Sequence, residues 1–177
     1  MTTPHSYTEL GREVTRTVDH FLESLAGVPA EQWGYTPSPE VWSVGQTAEH
    51  TAGVFQSIQK LLGKKLLASP LPAGSTPAVK DEVILQVMMN RGKRYTAPDF
   101  ALPTGKWGTR EALEKDLLES RAALLTWLDT LTVDLRGYAL PHPLIGLLDG
   151  VQWLLFAAAH TERHTHQIID FRKSSGF

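Results

Sequence analysis

A chain of 177 residues, 42% hydrophobic and 20% charged, has the composition of an ordinary globular protein and is long enough to bury a sizeable core. Its formal net charge of -2 gives no electrostatic footprint for nucleic acid or an anionic membrane surface. The sequence contains no cysteine, which excludes disulfides, thiolate metal ligands and a cysteine nucleophile together.

The opening segment MTTPHSYTELGREV has no apolar signal core. No stretch approaches the ~18 apolar residues of a membrane span. A cytoplasmic location is therefore expected, with no membrane and no nucleic-acid partner. The basic clusters Lys64-Lys65 and Arg91 to Arg94 read as solvated surface.

A first helix is predicted from about Ser6 to Leu25, because Leu10, Val14, Val18, Phe21/Leu22 and Leu25 recur at helical intervals. Gly27 and Pro29 end it. In the following QWGYTPSPEVW, Pro37 and Pro39 forbid regular helix. A second helix starts at WSVGQ, where Ser43 and Gln46 form a capping box that satisfies orphan amides. Val44, Thr47, Thr51, Val54, Ile58 and Leu61 give it an inward stripe as far as about Leu67.

From Ser69 to Gly108 the pattern weakens. ASPLPAGSTPAVK is a loop by composition, DEVILQVMMNRG a short helix ending at Gly92, and YTAPDFALPTGKWG an extended connection. A link of this length between helices implies a crossover that covers one end of the domain.

A third long helix is expected from about Thr109 to Leu131, with Glu111 and Glu114 near its positive end. Leu113, Leu117, Leu124, Trp127/Leu128 and Leu131 form its buried face. PHPLIG reads as a loop. The last long helix runs from about Asp149, which pairs with Gln152 in a second capping-box pattern, to about Arg172. No repeat, low-complexity tract or strand is evident. The expected fold is all-α: a four-helix bundle with a long crossover between helices two and three, in a single domain over 1–177.

The last helix carries three of the seven histidines within HTERHTH. Trp153, Ala157, His160, His164, Gln167 and Phe171 alternate at three- and four-residue steps, the pattern of a seam facing partner helices. At roughly 100° per residue, His160 and His164 lie about 40° apart on that seam. His166 and Glu162 are each rotated by roughly 200° and are expected to point outward.

Two inward imidazoles one turn apart either share a divalent ion, at ~2.0–2.1 Å for zinc, or each find an ordinary hydrogen-bond partner in the core. A third ligand decides between these. His50, beside the inward Thr51 and four residues before Val54, is the candidate. His20 has no evident common level with the pair, and His5 lies near the chain start. His142, between Pro141 and Pro143, either lines a pocket mouth or belongs to a loop. Gln167 either orients a ligand histidine or bonds another helix. Trp42 and Trp153 either wall a substrate site or pack the core.

The stretches WSVGQTAEHTAGV, HPLIGLLDGVQW and HTERHTHQI, in this order and at this spacing, resemble the DinB-like (YfiT-like) superfamily of metalloenzymes over nearly the whole chain. The resemblance implies that His50, His160 and His164 hold one divalent ion. The metals associated with such proteins are nickel, zinc, manganese and iron, with zinc or nickel favoured here. Characterised members of that superfamily include thiol-dependent S-transferases and an isomerase that uses low-molecular-weight thiols; others are classed as metal-dependent hydrolases, and homodimers are common. The chain departs from a frequent form of the closing motif, having Arg163 and His166 where a histidine and a glycine stand.

A three-histidine site leaves the full +2 charge on the ion and an open position. It can therefore acidify a water or thiol and polarise a carbonyl. Two functions follow: a metal-dependent small-thiol S-transferase or hydrolase acting on a small molecule, with a low-molecular-weight thiol as cosubstrate in the first case, or a non-catalytic metal- or ligand-binding protein of stress response. An assembly module with inert core histidines is a third reading. No catalytic acid or base is identified, since Glu49 is turned roughly 100° from His50. HTERH is not the H-E-x-x-H of zincin proteases, no Glu-x-x-His pair of di-iron bundles occurs, and the nucleotide-binding glycine signatures are missing.

Overall fold

The computed structural model describes residues 6–36, 38–77, 79–93, 95–174 and 177. His5, Pro37 and Arg94 lie outside the described residues.

Among the described residues four long helices are present: α1 (Tyr7–Ala26), α2 (Val44–Lys65), α4 (Arg110–Asp129) and α5 (Gly150–Phe171), with the short α3 (Asp81–Met89) in the crossover. Each long helix opens on a side-chain cap. Ser6 Oγ accepts from the Glu9 amide, and Thr109 Oγ1 accepts from the Ala112 amide. On α2, the Ser43 amide donates to Gln46 Oε1 at 2.9 Å while the Gln46 amide donates to Ser43 Oγ at 3.1 Å. Asp149 and Gln152 repeat the exchange on α5 at 2.8 and 3.0 Å. Such caps satisfy amides that have no intrahelical acceptor.

The long helices pack α1 on α5 and α4, and α2 on α4 and α5, while α3 covers α5. One hydrophobic cluster joins all of them through Phe21, Phe55, Leu62, Ile84, Leu117 and Leu154. Among the described residues, no helix is long and apolar enough to cross a membrane.

Two expectations need correction. PHPLIG belongs to a hairpin, β1 (Ala139–His142) against β2 (Gly146–Asp149), antiparallel with His142 opposite Gly146. Pro141 and Pro143 concealed it, because a proline removes a ladder donor and argues against a strand. In a two-stranded ribbon both strands are edges and one missing donor is tolerated. Gly146, at φ 103°, takes the left-handed turn that closes the hairpin. The second correction concerns Glu162, which is buried at 6% exposure rather than pointing to solvent. Every residue from Leu148 to Glu162 is buried, because α5 has α1 on the face opposite its histidine seam. Rotation away from the seam leads to another helix, not to water.

An ionic network fixes the start of α5. Arg136 bonds Asp149 at 2.9 Å and Asp81 at 2.6 Å, and Gln152 Nε2 donates to the Val79 carbonyl at 2.7 Å. These contacts tie the hairpin, α3 and α5 together, so the height of the seam histidines is set from the helix N-terminus.

Candidate metal centre

Helix α2 presents His50 and helix α5 presents His160 and His164, and the three rings form a triangle. Centroids lie 5.0 Å apart for His50–His160, 5.0 Å for His50–His164 and 4.6 Å for His160–His164. One nitrogen from each lies within 4.8 Å of the others, so the group could hold a metal ion. The Nε2 atoms of His50 and His160 are 3.1 Å apart, close to the ~3.3 Å between two nitrogens on a tetrahedral ion at ~2.05 Å.

The far side of two rings is fixed. His50 Nδ1 lies 2.8 Å from the Ala101 carbonyl oxygen. A carbonyl only accepts, so Nδ1 carries the proton and Nε2 faces inward bare. His164 Nδ1 lies 2.9 Å from Gln167 Oε1, which imposes the same tautomer there. Burial lowers the pKa of His50 against an opposing effect of the Ala101 bond. It takes His164 down to about 3, with repulsion from His50 adding to it, and His160 well below its usual value, helped by both neighbours. All three are neutral at pH 7, the state in which imidazole binds a cation. The donor set, the tautomers of His50 and His164 and the His50–His160 spacing suit a metal ion.

The triangle opens into a cavity of about 1150 Å³, somewhat above the usual range for small-molecule sites. Trp42 tilts against His50 with centroids 4.8 Å apart. Trp153 and Phe156 line the wall, and Trp153 donates its indole N–H to the Leu140 carbonyl at 3.2 Å. Val54 and Leu61, on the predicted inward stripe, are only half-buried because they face this cavity instead of a partner helix. His142 and Gln167 line it too.

The remaining candidates go elsewhere. His20 Nδ1 lies 3.0 Å from Glu162 and His166 Nε2 lies 3.4 Å from the same carboxylate, both on the α1 side of α5. Glu49 points away from the trio and accepts from the amides of Thr104, Gly105 and Lys106 at 2.7, 2.9 and 3.0 Å.

Sequence reasoning missed three contributors. Phe156 stands one turn before His160, and that spacing alone would have put it on the seam. Arg163 donates to the carbonyls of Met88, Asn90 and Lys93 at 2.9, 2.8 and 2.7 Å, capping the end of α3, and nothing local signals this. The Ala101 carbonyl is a backbone acceptor with no sequence signature at all.

A family model described as the DinB superfamily matches residues 13–168. The uncharacterized protein YuaE of Bacillus subtilis (strain 168) is 24% identical over 149 residues, covering 84% of this chain and 88% of that relative. No solved structure matches.

Proposed function

From the premise that the chain belongs to the DinB superfamily, we propose that it is a mononuclear divalent-metal-dependent enzyme acting on a small molecule, either transferring a small thiol or hydrolysing its substrate. One observation carries this reading: three neutral imidazoles from two helices meet at the wall of a large, mostly apolar cavity. His50, His160 and His164 would hold the ion, with zinc or nickel favoured. When bound, such an ion supplies Lewis acidity that lowers the pKa of a water or thiol and polarises a carbonyl.

The chain's own residues supply the rest. The Ala101 carbonyl and Gln167 keep two rings in the tautomer that turns Nε2 inward, as outer partners of metal ligands do. Trp42, Trp153 and Phe156 exclude water from the wall beside the trio, which strengthens electrostatic interactions inside.

A second reading, non-catalytic capture of a metal or small ligand, is favoured by one feature. Among the described residues, the only carboxylate lining the cavity is Glu40, which is exposed, so no acid–base carboxylate stands beside the trio.

Elemental analysis of purified protein tests the common core of both readings. About one divalent ion per chain is expected, and full metal content in His50→Ala overturns the three-ligand assignment. Turnover of a panel of thiols, electrophiles and esters, lost with chelator and restored by metal, selects the enzyme. Stoichiometric binding without turnover selects the capture protein.

A further inference from the structure

His142 closes β1, and the residue is 8% exposed. The Leu144 amide donates to His142 Nδ1 at 3.2 Å, so Nδ1 is an acceptor and the single proton of the neutral ring sits on Nε2. Burial among apolar rings keeps the imidazole neutral, its pKa lowered to about 4. Phe156 and Trp153 flank it at centroid distances of 4.4 and 5.1 Å. Phe156 in turn lies 5.5 Å from His160, so one aromatic ring separates His142 from the trio.

The Nε2–H of His142 has no partner among the described residues. It is not sealed into the core, and the side chain lines the cavity. A donor on the wall of a cavity meets water when the cavity is empty, and a ligand that displaces this water must bring an acceptor of its own. The charged neighbours bear on which acceptor that is. The Arg163 guanidinium is occupied by three backbone carbonyls, Arg91 is paired with Asp170, and Glu40 is exposed. Among the described residues lining the cavity, a carboxylate would meet no unpaired side-chain cation beside His142, whereas a neutral oxygen would lose little on desolvation.

We propose that His142 is the specificity residue of the cavity: its Nε2–H holds the carbonyl oxygen of a neutral, largely apolar substrate, a ketone, ester or amide, across the Phe156 ring from the three histidines. This rests on the reading of the cavity as the substrate site, and not on which metal the trio holds.

The test uses three probes of matched shape, acetonaphthone, ethylnaphthalene and naphthoate, titrated into the purified protein in the presence of chelator, so that no bound ion attracts the carboxylate, and followed by quenching of Trp42 and Trp153. The ketone is expected to bind about five- to tenfold tighter than the hydrocarbon, the value of one neutral hydrogen bond, and naphthoate weakest. In His142→Phe the ketone's advantage disappears while the hydrocarbon's affinity changes less than twofold. His142→Gln, whose amide can donate, recovers part of the advantage and guards against a packing artefact. Equal affinities for ketone and hydrocarbon in the unaltered protein, an advantage that survives in His142→Phe, tightest binding of naphthoate, or no binding of any probe would each overturn the proposal. Metal content is read on the same preparation before chelator is added. A ketone preference in protein that never holds metal sinks the metalloenzyme reading alone, and a loaded metal without the preference sinks this one alone.

Discussion

Glu49 and His50, neighbours on α2, grip one loop from two sides. The Glu49 carboxylate accepts the amides of Thr104, Gly105 and Lys106, and His50 Nδ1 donates to the Ala101 carbonyl. Gly105, at φ 75°, lets three successive amides turn toward one carboxylate, a conformation an L side chain rarely adopts. The acceptor that fixes the His50 tautomer is therefore held in place by the residue next to it.

Glu49→Ala should release this loop and weaken metal binding about tenfold, the lower end of what loss of an outer partner costs. Glu49→Gln keeps an acceptor oxygen and should lose less. Competition with a chelating indicator measures both, with the secondary structure followed by circular dichroism. Unchanged affinity in the alanine variant would show that Ala101 needs no help from Glu49.

An ion bound by the folded chain alone stabilises it by mass action, about 2.7 kcal/mol when free metal exceeds Kd a hundredfold. For a domain of this size that raises Tm by roughly 5–10 °C. EDTA at pH 7.5 should reverse the shift, and His160→Ala should not respond to metal in either direction. A melting temperature in the native sequence that ignores both zinc and EDTA argues against a tightly held ion.

Much of this architecture was legible in the sequence because it is written in local chemistry. Ser43–Gln46 and Asp149–Gln152 mark helix starts by side chains that reach only three residues. The 160/164/167 seam follows from helical repeat alone, and Gln167 does bond His164. Where a contact is long-range, the pattern is silent: Ala101 meets His50 across 51 positions, and Arg163 reaches α3 across more than 70. The hairpin was hidden by its prolines. The burial of Glu162 was misread because a periodicity argument identifies one buried face and assumes water on the other, whereas α5 is enclosed on both.

Glu162 supplies a control that separates folding from metal binding. Its carboxylate bonds His20 at 3.0 Å and approaches His166 and Arg16, each at 3.4 Å, all on the α1 face of α5. Glu162→Ala leaves a void and a half-buried histidine without its partner, which should destabilise the fold by about 1–3 kcal/mol. Chemical denaturation reads that loss. Metal content of the folded variant should stay at the native level, since the trio lies on the opposite face. A variant of native stability that loses its metal would mean that this cluster supports the trio after all.

The pH dependence of the metal-free protein should report His142. Burial takes its pKa from 6.5 to about 4 in the folded state, so between those values the unfolded chain binds a proton that the folded chain refuses. Stability then falls as pH falls: it is complete above about 6.5, declines through the window, and from this group declines no further below about 4. At 1.36 kcal/mol per unit, the descent from pH 6.5 to 4.5 is worth about 2–3 kcal/mol. The three clustered histidines, also lowered by burial, act in the same direction, so a slope in the native sequence alone cannot be assigned to His142. The difference between two slopes can. Urea unfolding in the presence of chelator, at pH 6.5 and 4.5, should show His142→Gln losing about 2–3 kcal/mol less than the native sequence across the interval, whatever its stability at the upper pH. Parallel losses would mean that the folded ring takes up a proton at Nδ1 as readily as the unfolded one, and that the Leu144 amide and the apolar surroundings do not oppose it.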